Sequence, residues 1–105
     1  MKMIPEIMVV LLLMVGCQSM SETRPNYRPP AGYVPDAATA IRIAEAVWLP
    51  IYGKDQIESE RPFIAELSSD VWTVTGSLPE GWKGGTAEIE IRKTDGTILR
   101  VIHGE

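Results

Sequence analysis

The sequence predicts an α+β domain, one main helix packed on a curved antiparallel sheet of about four strands. Three observations carry that expectation. A helical apolar pattern runs from Ala37 to Leu49 behind an aspartate suited to capping it. Short runs of alternating apolar and polar residues follow Pro62, as strands with one buried face require. The last two runs flank Thr94-Asp95-Gly96, a hairpin turn signal.

A chain of 105 residues, 45% hydrophobic and 23% charged, has room for one small domain. The net charge of -4 comes from scattered acidic residues, which argues against nucleic acid, since phosphate binding needs a clustered basic face. One cysteine and one histidine build neither a disulfide framework nor an all-protein zinc site. No cofactor motif is present.

The chain opens on Lys2 and an apolar run from Ile7 to Val15. That run is shorter than the ~20 residues that span a bilayer, and it has the length of a signal-peptide core. It ends in Leu13-Met14-Val15-Gly16-Cys17, which resembles a bacterial lipobox, with Met14 where leucine is usual. The resemblance implies a signal peptide over residues 1–16, cleavage after Gly16 and a lipid on Cys17. An ordinary secretory signal or a buried apolar helix is the alternative. Acyl chains contribute roughly 0.8 kcal/mol per buried methylene, so two or three anchor stably. Gln18 after the cysteine resembles the outer-membrane sorting pattern of Gram-negative bacteria. The expected location is therefore the bacterial envelope, on the periplasmic side of the outer membrane.

Residues 17–35 read as a tether, with prolines at 25, 29, 30 and 35 and no apolar periodicity. Such segments favour extended, semi-rigid conformations. The folded domain is expected over 36–105. Asp36 is the candidate N-cap, and Thr39, Arg42 and Glu45 make one narrow polar stripe on a helix otherwise expected to be buried. Pro50 predicts a break near Leu49, Gly53 a positive-φ exit, and Lys54 to Ile57 a further turn. Trp48 and Tyr52, at helical spacing, read as core.

Glu58 to Pro62 is polar and reads as a loop. Phe63, Ala65 and Leu67 form the inward side of a first strand, and Trp72, Val74 and Leu78 that of a second. Gly76 interrupts that inner side, which predicts a bulge or a close approach of the helix backbone. For the last hairpin, a three-residue loop Thr94-Asp95-Gly96, with Gly96 at positive φ, pairs Lys93 with Thr97. It then sets Ile91 opposite Leu99, Ile89 opposite Val101, Ala87 opposite His103 and Glu90 opposite Arg100. A one-residue slip would mix core and surface on one face.

The connection Leu78 to Gly85 carries glycines at 81, 84 and 85 and an aromatic at Trp82. It lacks the spacing of a phosphate loop and has no helix after it. Trp82 is either folded back on the sheet or offered to a partner, and exposed aromatics are enriched at binding hot spots. Glu88 and Glu90 share a strand face and with Arg92 form a solvated stripe. His103 reads as a structural or surface histidine, and no recognised motif pairs a base with a carboxylate. An enzyme is not expected.

The stretch from Ala38 to Gly104 resembles a family of small bacterial immunity proteins with the cone-shaped nuclear-transport-factor-2-like fold. The residues that carry the resemblance are Ala44-Glu45-Ala46-Val47-Trp48-Leu49-Pro50-Ile51-Tyr52-Gly53 and Arg61-Pro62-Phe63. They continue through Trp72-Thr73-Val74-Thr75-Gly76-Ser77-Leu78-Pro79, Gly84-Gly85-Thr86-Ala87-Glu88-Ile89-Glu90-Ile91, and Asp95-Gly96 to His103-Gly104. Phe63 stands where the family pattern would have tyrosine. The resemblance implies a reduced version of the cone and a non-enzymatic protein that binds and neutralises a protein toxin. Trp82, Glu88, Glu90, Arg92 and Arg100 are the candidate contact residues. The same segments also resemble propeptide-like domains that inhibit peptidases, and a structural envelope lipoprotein is a third reading.

Overall fold

A computed structural model describes residues 25–104. The predicted signal, Cys17 and the first part of the tether lie outside the described residues. Among those described, no helix is long and apolar enough to cross a membrane.

Helix α1 spans Ala37–Tyr52. Asp36 caps it in an extended conformation, its carboxylate accepting the Thr39 N–H at 2.8 Å and the Thr39 hydroxyl at 2.7 Å. The helix continues through Pro50 to Tyr52, where a break near Leu49 was expected. Proline removes one donor from the ladder, yet the last turn is closed by Gly53, whose N–H donates to the Leu49 carbonyl at 2.9 Å. Gly53 has φ +88, which turns the chain into α2, Lys54–Ser59.

The fully buried stripe on α1 is Ala40, Ala44 and Trp48, with Ile41, Ile43, Val47 and Tyr52 half-buried beside it. That is narrower than the sequence suggests. Among the described residues the helix packs on one sheet face and against α2, and Ala46, Leu49 and Ile51 stay in solvent. Trp48 meets Phe63 edge-on, with ring centroids 5.4 Å apart.

The sheet has four antiparallel strands in sequence order: β1 (Ile64–Ser68), β2 (Val71–Thr75), β3 (Ala87–Arg92) and β4 (Ile98–His103). Its inner rows follow from the register. Ala65, Val74, Ile89 and Val101 stand side by side, as do Leu67, Trp72, Ile91 and Ile98. Trp72, Val74, Ala87, Ile89 and Ile91 are buried, each large side chain contributing about 1.5–3 kcal/mol by leaving water. Leu67, near the end of the edge strand β1, is 45% exposed, and Leu78 lies past the end of β2 and is also exposed.

The strand pairs Ala87–His103, Ile89–Val101 and Glu90–Arg100 match the expected register, and Gly96 has φ +75. The turn itself differs. Arg92, not Lys93, bonds to Thr97, at 2.8 Å, so the loop is Lys93–Gly96 and Ile91 pairs with Ile98. Leu99 becomes the extra residue of a bulge that restores the alternation. The cause lies in Lys93, whose backbone is engaged elsewhere: its N–H donates to Asp70 at 2.8 Å and its carbonyl accepts from Val34 at 3.0 Å.

That last bond corrects the tether. Val34 is fully buried, its carbonyl accepts the Trp72 indole N–H at 2.8 Å, and the Tyr33 N–H donates to Thr94 at 3.1 Å. Gly32 lies so close to Lys93 that a Cβ there would stand 2.5 Å from its carbonyl oxygen. The folded unit therefore takes in Gly32–Val34, a strap across the hairpin end that the sequence assigns to the spacer.

Candidate functional site

Two features meet at the opposite end of the sheet, where β2 ends and β3 begins. The first is the connection from Gly76 to Thr86, with Trp82 at its tip, 70% exposed. The second is a buried carboxylate, Glu60, only 2% exposed, just after α2. Sequence reasoning places Glu60 in a polar loop. In the fold it is a buried acid, and all of its contacts are satisfied.

Glu60 holds both stems of the connection. Its backbone carbonyl accepts the Ser77 N–H at 2.7 Å, and its Oε1 accepts the N–H of Ala87, the first residue of β3, at 2.6 Å. Gly76 leaves the room for it: a Cβ at that position would lie 2.5 Å from Oε1. The glycine that interrupts β2 is therefore explained by a side chain and not by the helix backbone. Oε2 takes hydrogen bonds from Gln56 Nε2 at 2.9 Å and from the His103 ring at 2.8 Å.

His103 stands on the inner face because the register sets it opposite Ala87. Its Nε2 faces Glu60, its Nδ1 faces the Gly104 carbonyl at 2.8 Å, and the Tyr52 ring lies 5.0 Å from it, centroid to centroid. Both neighbours are oxygen acceptors, so a ring that satisfies both is the doubly protonated imidazolium. The hydrogen bond to Glu60 raises the His103 pKa above its ordinary value; partial burial opposes this, while the Gly104 carbonyl and the charge of Glu60 add to it. For Glu60, burial pushes the carboxyl up, but hydrogen bonds from Gln56, Ala87 and His103 outweigh it and hold it below the usual range. A ring with both nitrogens committed has no free lone pair to act as a base.

The outer face of the sheet carries the other candidate residues. Arg100 reaches Glu90 at 3.8 Å and Glu88 at 4.0 Å, while Arg92 turns to Asp95 at 3.2 Å. Glu88, Glu90 and Arg100 are thus together, with Arg92 on the same face but drawn to the hairpin. Trp82 stands apart from them on the connection that enters β3. Ile64 and Ile102 are exposed at that same end, in one row with Thr75 and Glu88. Among the described residues there is no cluster of side chains that could hold a metal ion.

A main helix and a short second one on an open four-stranded antiparallel sheet define a small α+β domain. The chain belongs to the NTF2 fold immunity protein family, whose family model matches residues 39–105. It is also similar to two Escherichia coli (strain K12) proteins. YhhH is 39% identical over 74 residues, which is 69% of this chain and 58% of the relative. YbbC is 36% identical over 67 residues, which is 63% of this chain and 55% of the relative. The chain thus spans little more than half the length of either relative. No solved structure matches.

Proposed function

We propose that the chain is an immunity protein that binds a cognate protein toxin and neutralises it without catalysing a reaction. Membership of the immunity protein family, over nearly all of the folded region, is the observation that carries this reading. Trp82 on its connection and the outer-face residues Glu88, Glu90, Arg92 and Arg100 form the contact surface. Exposed aromatic and arginine side chains of this kind supply most of the energy at protein interfaces. A lipid on Cys17, following the apolar run Ile7 to Val15, holds the domain at the periplasmic side of the outer membrane, with the tether as spacer.

Competition between a gene-deletion strain and its parent tests this. The deletion strain is expected to be killed on contact and rescued by a plasmid copy of the chain. Survival unharmed, with no secreted toxin co-purifying with the chain, overturns the reading.

A further inference from the structure

We propose that Glu60 and His103 form a proton-controlled clasp on the connection that carries Trp82, closed when the imidazole is charged and loosened when it is neutral. The clasp stands on geometry. Its regulation of partner binding rests on the reading of Trp82 as part of the contact surface.

The connection leaves β2 at Gly76 and enters β3 at Ala87, and both points are fastened to Glu60, through Ser77 N–H at 2.7 Å and Ala87 N–H at 2.6 Å. Its last residues are also fastened to the end of β4. The Gly104 N–H donates to the Thr86 carbonyl at 3.1 Å, and the Gly104 backbone packs so close to Gly85 that a Cβ would stand 2.9 Å from the Gly85 Cα. His103 joins these two fastenings, bonding Glu60 through one nitrogen and Gly104 through the other, each at 2.8 Å.

Charged, the ring donates to both oxygens. Neutral, it carries a single N–H and must give one up. The carboxylate is the stronger acceptor, so Nε2–H stays with Glu60 and the Nδ1 lone pair is left facing the Gly104 carbonyl oxygen. Two electron-rich atoms then repel, and Gly104 is pushed from its place against Gly85 and Thr86. The groups facing His103 are the Glu60 carboxylate after α2, the Tyr52 ring from α1 and the Gly104 carbonyl, while α2 contributes Gln56 and β3 the Ala87 amide, both through Glu60. Glu60 is the charged group among them, and it favours the imidazolium. The clasp is therefore closed while Glu60 is ionised and His103 is charged, and it loosens as pH rises through the His103 value.

The chain has one histidine, so its ring signals identify His103 without assignment ambiguity. The test is an NMR titration of the full chain from about pH 5 to about pH 9, the span over which histidine switches. The expected His103 midpoint lies above its ordinary 6.5. The Gly85, Thr86 and Ala87 amides and the Trp82 indole N–H should shift with the same midpoint, while the hairpin Thr94–Thr97 stays still. In Glu60→Gln the midpoint falls towards 6.5, and in His103→Gln the connection stops responding. Unmoved hairpin signals show that each variant is folded, and if Glu60→Gln does not fold, His103→Gln alone decides. A ring midpoint at or below 6.5 overturns the clasp. So does a connection that ignores the ring, or one that titrates equally well in His103→Gln. No toxin enters this experiment, so its failure leaves the toxin reading standing, and survival of the deletion strain leaves the clasp standing.

Discussion

Gly76 and Glu60 divide one small volume between them: a methyl group on Gly76 would stand 2.5 Å from the Glu60 Oε1 and 2.9 Å from its Cβ. Gly76→Ala is therefore expected to destabilise the domain by about 1–3 kcal/mol, since a crowded core yields only through side-chain and backbone shifts. Urea melts measure it. In a Glu60→Ala background the same substitution should cost less, because Oε1, the atom it strikes hardest, is gone and only the Cβ contact remains. Equal costs in both backgrounds would show that the two residues are not coupled.

The pH profile of stability should have two limbs. The His103 pKa is raised by folding, so its contribution is complete below its ordinary 6.5 and is lost as pH rises through the folded value. The Glu60 pKa is lowered, so its contribution is complete above its ordinary 4.5 and is lost as pH falls through the folded value. Between those values both act. Denaturant midpoints across pH should show the alkaline limb shrink in Glu60→Gln, since Glu60 is the largest cause of the raised His103 value. The acid limb should shrink but persist, because Asp36, through Thr39, and Asp95, through Thr97, are lowered as well.

Trp72→Phe removes the indole donor to Val34 and should cost about 1–3 kcal/mol, the penalty of leaving the buried Val34 carbonyl without its partner. The damage should be local. Amide exchange at Tyr33 and Val34, both bonded to the Lys93–Thr94 turn, is expected to rise before that of β2 and β3.

Trp82→Ala is expected to leave stability within about 0.5 kcal/mol of the parent chain, as for other exposed positions. Protection in the competition assay should fall at the same time. Loss of folding would place Trp82 in the core and remove it from the contact surface.

Cys17→Ser tests the anchor. The variant should move from the membrane pellet to the soluble fraction after cell breakage, because the acyl chains attach through that thiol. Retention in the pellet would sink the lipoprotein reading.

Much of the fold is legible in the sequence because it is periodic. Asp36 announces the start of α1, the alternation around Ile89 and Ile91 marks β3, and the register of the last hairpin places Glu90 beside Arg100. The errors fall where long-range contacts override local pattern. Lys93 would pair with Thr97 if left alone, but Val34 and Asp70 occupy its backbone. Val34 looks like one apolar residue in a proline-rich spacer, and only its bonds to Lys93 and the Trp72 indole bring it into the core.

Glu60 is the clearest case. Nothing local distinguishes it from Glu58, since both belong to a polar run and neither has a periodic position. The signals that could have found it are indirect: a glycine interrupting the inner side of β2, and a histidine set on the buried side by its register opposite Ala87. An inward histidine needs an acceptor, and an interrupted strand face needs a filler. One residue answers both.

The docked strap has a consequence for how the domain is displayed. The chain enters at the hairpin end, where Tyr33 and Val34 bond to Thr94 and Lys93, whereas Trp82, Glu60 and His103 gather at the other. A six-residue strand such as β3 separates these ends by about 20 Å. The domain thus has a mooring pole and a free pole. Any pull on the chain ahead of Gly32 therefore reaches the domain at the hairpin end, a strand's length from Trp82.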